Sequence, residues 1–289
     1  TAPADLTLDC SDDTSVDGEA GNVTDEADNC TMVLDATYSD EVVEGNCPGN
    51  YVILRTWSLV DDCDNAADDQ VQTITVTDMT PPSVVEALPE YFNGINDCKP
   101  TDLLAYGLSE AEAANQDPNA GTVYFADDCS NVVVTKSVKS EVGDDCGWGI
   151  IFSYLVADDC GNELGEFKIA YGGGDQDAPV LDNPDSPLLV GTSGWQCKSE
   201  APDSPKVEEL YGLYSDDCGD VTISHPVITE SESNCDWYIT YTYTVVDDCG
   251  NYADNIVITH TGVDTTPPSL DEPLPYDTHI NGIDACAGY

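Results

Sequence analysis

The chain has 289 residues, 40% of them hydrophobic, so it can bury a core and is not a disordered tract. Seven Lys and Arg stand against 57 Asp and Glu, a formal net charge of −50. That balance excludes nucleic acid, which needs clustered basic side chains, disfavours anionic membrane surfaces, and favours cations or cationic partners.

Thirteen cysteines accompany only three histidines, His225, His260 and His279, and no Cys-x-x-Cys pair occurs. Zinc and iron–sulfur ligation are therefore disfavoured, and structural disulfides in an oxidising, extracellular setting are expected. No apolar run reaches the roughly 18 residues of a spanning helix, so membrane insertion is not expected. The start is not a signal peptide, which suggests a mature chain or a piece of a longer one.

The chain opens on "TAPADLTLDC", which reads as the tail of a linker. Cys10, Cys30, Cys47 and Cys63 then mark a first repeat. An acidic loop separates its first two cysteines and carries the glycosylation sequons Asn22-Val-Thr and Asn29-Cys-Thr. "TMVLDATYS" predicts a strand after Cys30, and "YVILRTWSLVDD" predicts another leading into Cys63. Alternation puts Tyr51, Ile53, Arg55, Trp57 and Leu59 on one face of that second strand. Arg55 breaks the apolar pattern, and stacking or snorkelling among aromatics would excuse it. "DQVQTITVTD" closes the repeat as a further strand.

The linker "DMTPPSVVEALPEYFNGINDC" (78–98) leads to a second repeat at Cys98, Cys129, Cys146 and Cys160. "TDLLAYGLSEAEAAN" predicts a short helix there, and "NVVVTKSVKS" a strand. "WGIIFSYLVADD" repeats the aromatic strand with Trp148, Ile150, Phe152, Tyr154 and Val156 on its inner face. A looser linker (175–197) opens the third repeat, at Cys197, Cys218, Cys235 and Cys249. In "SPKVEELYGLYSD" Ser204 is the expected N-cap, with Pro205 at the first helical position. "WYITYTYTVVDD" places Trp237, Ile239, Tyr241, Tyr243 and Val245 inward. "DTTPPSLDEPLPYDTHINGIDAC" (264–286) copies the first linker and ends on the odd cysteine, Cys286.

The second and third cysteines are 17 residues apart in all three repeats, so the periodicity is not chance. It divides the chain into immunoglobulin-like repeats at 1–80, 81–177 and 178–266. Residues 267–289 are then a linker and the start of a fourth repeat, or an assembly tail, leaving Cys286 unpaired or intermolecular. Short strands, four cysteines per repeat and stiff proline junctions predict an all-β chain of tandem, disulfide-stabilised sandwiches. Short helices are expected only between the first and second cysteines of repeats two and three. The phrase "VDDCGN", a strand, and then "VDTTPP" resembles the hyalin-repeat group of immunoglobulin-like modules, over all three repeats. The resemblance implies extracellular structure and adhesion rather than catalysis.

Strand geometry ranks the disulfides. The aromatic strand carries the third cysteine roughly 30 Å from the fourth, and bonded Cα atoms lie within about 7 Å. That favours two-to-four pairing, Cys30–Cys63, Cys129–Cys160 and Cys218–Cys249. One-to-three pairing then follows, Cys10–Cys47, Cys98–Cys146 and Cys197–Cys235. The rival, one-to-two with three-to-four, requires a bent aromatic strand.

Joined corners would bring carboxylates together. These are Asp127, Asp128, Asp158 and Asp159 in repeat two and Asp216, Asp217, Asp247 and Asp248 in repeat three. Repeat one offers Asp28, Asp61 and Asp62. Linker residues Asp78 and Asp175 should reach the same ends. Hard oxygen donors in this number suit Ca²⁺ as a stiffener of the junctions. The competing reading is an Asx-type turn, in which one Asp caps backbone N–H groups and the rest face water. His225 and His260 lie in strand-like text, and no Ser–His or Cys–His grouping suggests an enzyme. The expected function is a non-enzymatic filament or stalk whose partners are copies of itself, with glycans at Asn22 and Asn29. The alternative is an adhesin whose exposed loops hold carbohydrate or protein.

Overall fold

The computed structural model describes residues 1–117 and 121–269. Strands dominate it. In the first repeat β1 (Leu6–Asp9), β2 (Thr37–Glu44), β3 (Tyr51–Ser58) and β4 (Gln70–Thr77) form a sheet in the order β1-β4-β3-β2. β3 is antiparallel to both neighbours, with Arg55 opposite Asp40 and Gln72, while β1 runs parallel to β4. The strand expected to begin just after Cys30 begins only at Thr37. β3 ends at Ser58, opposite Thr37, so the residues before Thr37 have no ladder to join. Met32 and Val33 are left 97% and 84% exposed.

The second repeat contains β5 (Ser83–Val84), β6 (Tyr91–Ile95), α1 (Glu110–Ala113), β7 (Phe125–Ala126), β8 (Val132–Asp144), β9 (Gly147–Asp158) and β10 (Glu163–Gly173). Its sheet runs β6-β10-β9-β8, and β5 pairs separately with β7. The third contains β11 (Val180–Leu181), α2 (Val207–Leu210), β12 (Tyr214–Ser215), β13 (Val221–Ile223), β14 (Val227–Glu230), β15 (Asp236–Tyr243), β16 (Val245–Asp247) and β17 (Ile256–Val263). β14-β15-β17 form one sheet, and β13–β16 and β11–β12 form two-stranded pairs. Pro226 lacks an N–H and separates β13 from β14. The strand that precedes the first cysteine elsewhere is reduced here to a parallel bridge, Trp195 to Gly262.

The alternation read from the aromatic strands describes their inner faces. Ile53, Arg55 and Trp57 are buried on β3, and Trp148, Ile150, Phe152, Tyr154 and Val156 on β9. Trp237, Ile239, Tyr241 and Tyr243 on β15 and Val245 on β16 do the same in repeat three, packed with Leu210, Leu213, Ile223, Ile256 and Ile258. Arg55 stacks 4.5 Å from the Tyr38 ring centre and also pairs bidentately with Asp40, at 2.8 and 3.0 Å. Lys136 is likewise buried, 4.3 Å above the Phe152 ring.

Both helices fall where expected. Ser109 caps α1 in a reciprocal box with Glu112. The N-cap of α2 is Lys206 rather than Ser204, and Pro205 lies outside the helix. The Pro205 carbonyl accepts the Tyr243 hydroxyl at 2.7 Å, which holds it out, while Glu209 accepts the Lys206 N–H.

The disulfides overturn the expected pairing. Cys10 is bonded to Cys129, Cys47 to Cys160, Cys98 to Cys218 and Cys146 to Cys249, with Cα separations of 5.9, 5.3, 5.1 and 4.8 Å. Thus Cys10–Cys47, Cys98–Cys146, Cys129–Cys160 and Cys218–Cys249 do not form. Cys30 and Cys63 are free thiols, so Cys30–Cys63 is absent too. Cys197 is disulfide-bonded, but Cys235 is free, which excludes Cys197–Cys235. Cys286 lies outside the described residues. In every described bond a first or third cysteine meets the second or fourth of the following repeat. Cys10, Cys146, Cys160, Cys235 and Cys249 do sit within two residues of a strand end, whereas Cys30 lies in the coil before β2. The described bonds cross to the next repeat because its corner is packed against that end.

Two compact bodies result: 1–93 with 100–142 and 149–171, and 94–99 with 143–148 and residues from 172 on. Their limits differ from the repeat boundaries, because Cys98 and Cys146 tie their segments to the corner of repeat three. Each junction described next lies within one body.

Candidate functional site: the acidic disulfide junctions

The phrase Asp-Asp-Cys-x-Asn builds a tight corner. The residue after its cysteine has positive φ in all three repeats: Asp64 at 65°, Gly161 at 93° and Gly250 at 88°. That turn swings the asparagine back onto the first aspartate. Asn65, Asn162 and Asn251 each give both a backbone N–H and a side-chain N–H to Asp61, Asp158 and Asp247, at 2.7–2.9 Å. The aspartate before the second cysteine makes an Asx turn. Asp127 accepts the Cys129 and Ser130 N–H groups, Asp216 that of Cys218, and Asp28 those of Cys30 and Thr31. These hydrogen bonds hold the Asp28 and Asp61 carboxyls below the usual carboxylate range.

Onto such a corner the preceding repeat sets its two cysteines and its linker aspartate. At the first junction Asp78 is only 6% exposed; an oxygen of it lies within 4.8 Å of one from Asp127 and the Cys129 sulfur, and, as a separate group, an oxygen of it lies within 4.8 Å of one from Asp158 and the Cys160 sulfur. It accepts Ser130 Oγ at 2.8 Å, and its carbonyl accepts Asn162 Nδ2 at 3.2 Å. Gly49 leaves the room: a Cβ there would stand 2.6 Å from the Asp78 Cβ and 3.2 Å from the Cys129 Cβ. The linker continues as β5, which pairs with β7 directly before Asp127.

The second junction repeats this with Asp175, also 6% exposed, beside Asp216 and Asp247. Asn251 Nδ2 reaches Asp175 at 3.3 Å, and β11 pairs with β12 directly before Asp216. Burial pushes the Asp175 carboxyl above its ordinary range; the charges of Asp216, Asp247 and Asp177 add to this, and the Asp177 N–H opposes it. Asp97, Asp175, Asp177, Asp182, Asp216 and Asp217 line one groove there.

Of the ten aspartates proposed as cation ligands, six meet in pairs beside disulfide sulfurs: Asp78 with Asp127 at Cys129 and with Asp158 at Cys160, and Asp175 with Asp216 at Cys218 and with Asp247 at Cys249. Asp128, Asp159, Asp217 and Asp248 are exposed and stand outside those groups. Asp159 instead accepts Asn131 Nδ2, and Asp248 the Asp220 N–H. Sequence reasoning missed the three asparagines as structural partners of the aspartates, although their fixed place two residues after the cysteine signalled them. Asn22 and Asn29 are exposed. His225 is exposed, and His260 is buried with Nδ1 accepting the Thr192 N–H at 3.1 Å. His279 lies outside the described residues.

No protein-family model matches the chain, and no curated protein is similar to it. Among solved structures, the crystal structure of Drosophila N-cadherin EC1-3 is similar over 91% of this chain and 99% of its own, at 10% identity and a TM-score of 0.27. A likeness that slight carries no argument. The four described disulfides are those of a chain matured in an oxidising, non-cytoplasmic setting. Among the described residues no helix is long and apolar enough to cross a membrane.

Proposed function

We propose that the chain is a non-enzymatic extracellular structural protein, a protomer or segment of a filament or stalk. Its repeats are read as tandem immunoglobulin-like sandwiches of the hyalin-repeat kind, set head to tail. One observation carries the reading: every described disulfide joins a repeat to its successor at equivalent positions. Two covalent staples across each junction, with a buried linker aspartate between them, are what a chain under tension needs. Cations belong to the same reading. Asp78, Asp127 and Asp158, and Asp175, Asp216 and Asp247, supply oxygen donors for Ca²⁺, with water completing the six to eight it takes. Electron microscopy of the purified chain tests the proposal. Regular filaments or stalks are expected, melting at lower temperature once Ca²⁺ is chelated. Compact, unassembled particles would contradict the structural role, and melting that ignores chelation would remove Ca²⁺ from it.

A further inference from the structure

In repeat two a pair of rings packs on the inner face of β10. Tyr171, four residues before the linker aspartate Asp175, stacks on Phe92 with ring centres 5.0 Å apart, and Tyr106 meets it edge-on at 5.5 Å. The Tyr171 hydroxyl accepts the Leu108 N–H at 3.0 Å. Tyr171 is 8% exposed, so this space is filled.

Repeat three keeps the frame and loses the rings. The residue four before its linker aspartate Asp264 is His260. Phe92, six residues before Cys98, corresponds to Gly191, six before Cys197. No side chain fits at Gly191, because a Cβ there would collide with the Thr259 backbone. Leu108 corresponds to Pro205: the Tyr154 hydroxyl reaches the carbonyl of the one and the Tyr243 hydroxyl that of the other, both at 2.7 Å. Pro205 has no N–H to offer. A cavity of about 390 Å³ remains. It is lined by Pro187 and Val190 of the linker, Pro202 and Pro205 of the loop before α2, and Ile258 and His260 of β17. Apolar walls with one placed polar group are the usual make-up of a small-molecule site.

The polar group is His260, 4% exposed. Its Nδ1 accepts the Thr192 N–H at 3.1 Å and lies 2.7 Å from the Thr192 hydroxyl. The proton of the neutral ring is therefore on Nε2. Nε2 has no hydrogen-bond partner among the described residues, and it is not one of the sealed-in unpaired atoms, so its N–H opens on the cavity. The donor that Leu108 supplies in repeat two comes in repeat three from His260.

We propose that this cavity binds a small uncharged phenol, whose ring fills the space that Phe92 and Tyr171 fill in repeat two and whose oxygen accepts the His260 Nε2–H. The prolines and Ile258 give the ring its apolar contacts. An anionic ring is disfavoured, because Asp203 and Glu209 outnumber Lys206 among the charged lining residues and the chain carries −50. The site goes beyond the structural role proposed above and does not depend on it.

The test titrates p-cresol into the 289-residue chain labelled with ¹⁵N at histidine. A saturable downfield shift of the His260 Nε2–H is expected, with the exposed His225 unmoved. By calorimetry, His260→Phe keeps a ring but removes the donor and should weaken binding about 3- to 10-fold. His260→Tyr restores the residue of repeat two, fills the cavity and should abolish binding. Should either variant fail to fold, the titration of the parent chain still decides. A His260 resonance that does not move would overturn the proposal, whether the cavity stays empty or residues 270–289 of the chain itself occupy it. Equal, unsaturable shifts at His225 and His260, or undiminished binding in a folded His260→Tyr, would do the same. Any of these results leaves the structural reading standing.

Discussion

The recurring Asp-Asp-Cys-x-Asn phrase is a set of backbone requirements. Its variable residue sits at positive φ, which explains why glycine fills it twice and aspartate once, since Asp is among the few side chains that tolerate that region. Gly161→Ala should therefore lower stability by about 1–2 kcal/mol, whereas Asp64→Gly should change it by less than about 1 kcal/mol. Denaturant unfolding of the two variants checks this, and equal effects would contradict the corner geometry. The phrase was legible as a recurrent turn. The two hydrogen bonds from each asparagine to its aspartate were not, because composition marks Asp and Asn as turn formers without saying which of them bond to each other.

The strands were the most legible elements, because period-two alternation reports burial directly. Where it failed, pairing decided. "TMVLDA" carries an apolar run but has no partner strand, and the segment after Cys218 is cut by Pro226. His260 belongs to this scale. On β17 its Nδ1 accepts the Thr192 N–H, which requires that nitrogen to be unprotonated, and Tyr241 packs edge-on against the ring. Burial lowers its pKa from the ordinary 6.5. A depressed histidine pKa means that the unfolded state takes up the proton first. Its contribution is whole above 6.5 and is lost as pH falls through that value toward the lowered folded one. His260→Gln should therefore flatten the loss of melting temperature between about pH 7 and pH 5 relative to the parent chain. Parallel pH profiles of variant and parent would contradict the assignment.

For the whole molecule, reasoning within one repeat paired cysteines of the same repeat and so closed the wrong loops. The sequence period shows that repeats are alike, but not that one repeat's end is seated on the next one's corner; that is a packing fact. The staggered bonds close loops with sequence separations of 103 to 120 residues. A single such loop stabilises by about 5 kcal/mol in the chain-entropy model. Loops closed inside one repeat would make each repeat independent of the next. Here reduction loosens the junctions as well as the repeats, so stiffness and stability are linked through the same four bonds.

Peptide mapping without reduction, with free thiols blocked beforehand, tests this stagger most directly. The account predicts linked peptides joining Cys10 to Cys129, Cys47 to Cys160, Cys98 to Cys218 and Cys146 to Cys249. Linked peptides joining Cys10 to Cys47 or Cys129 to Cys160 would contradict it.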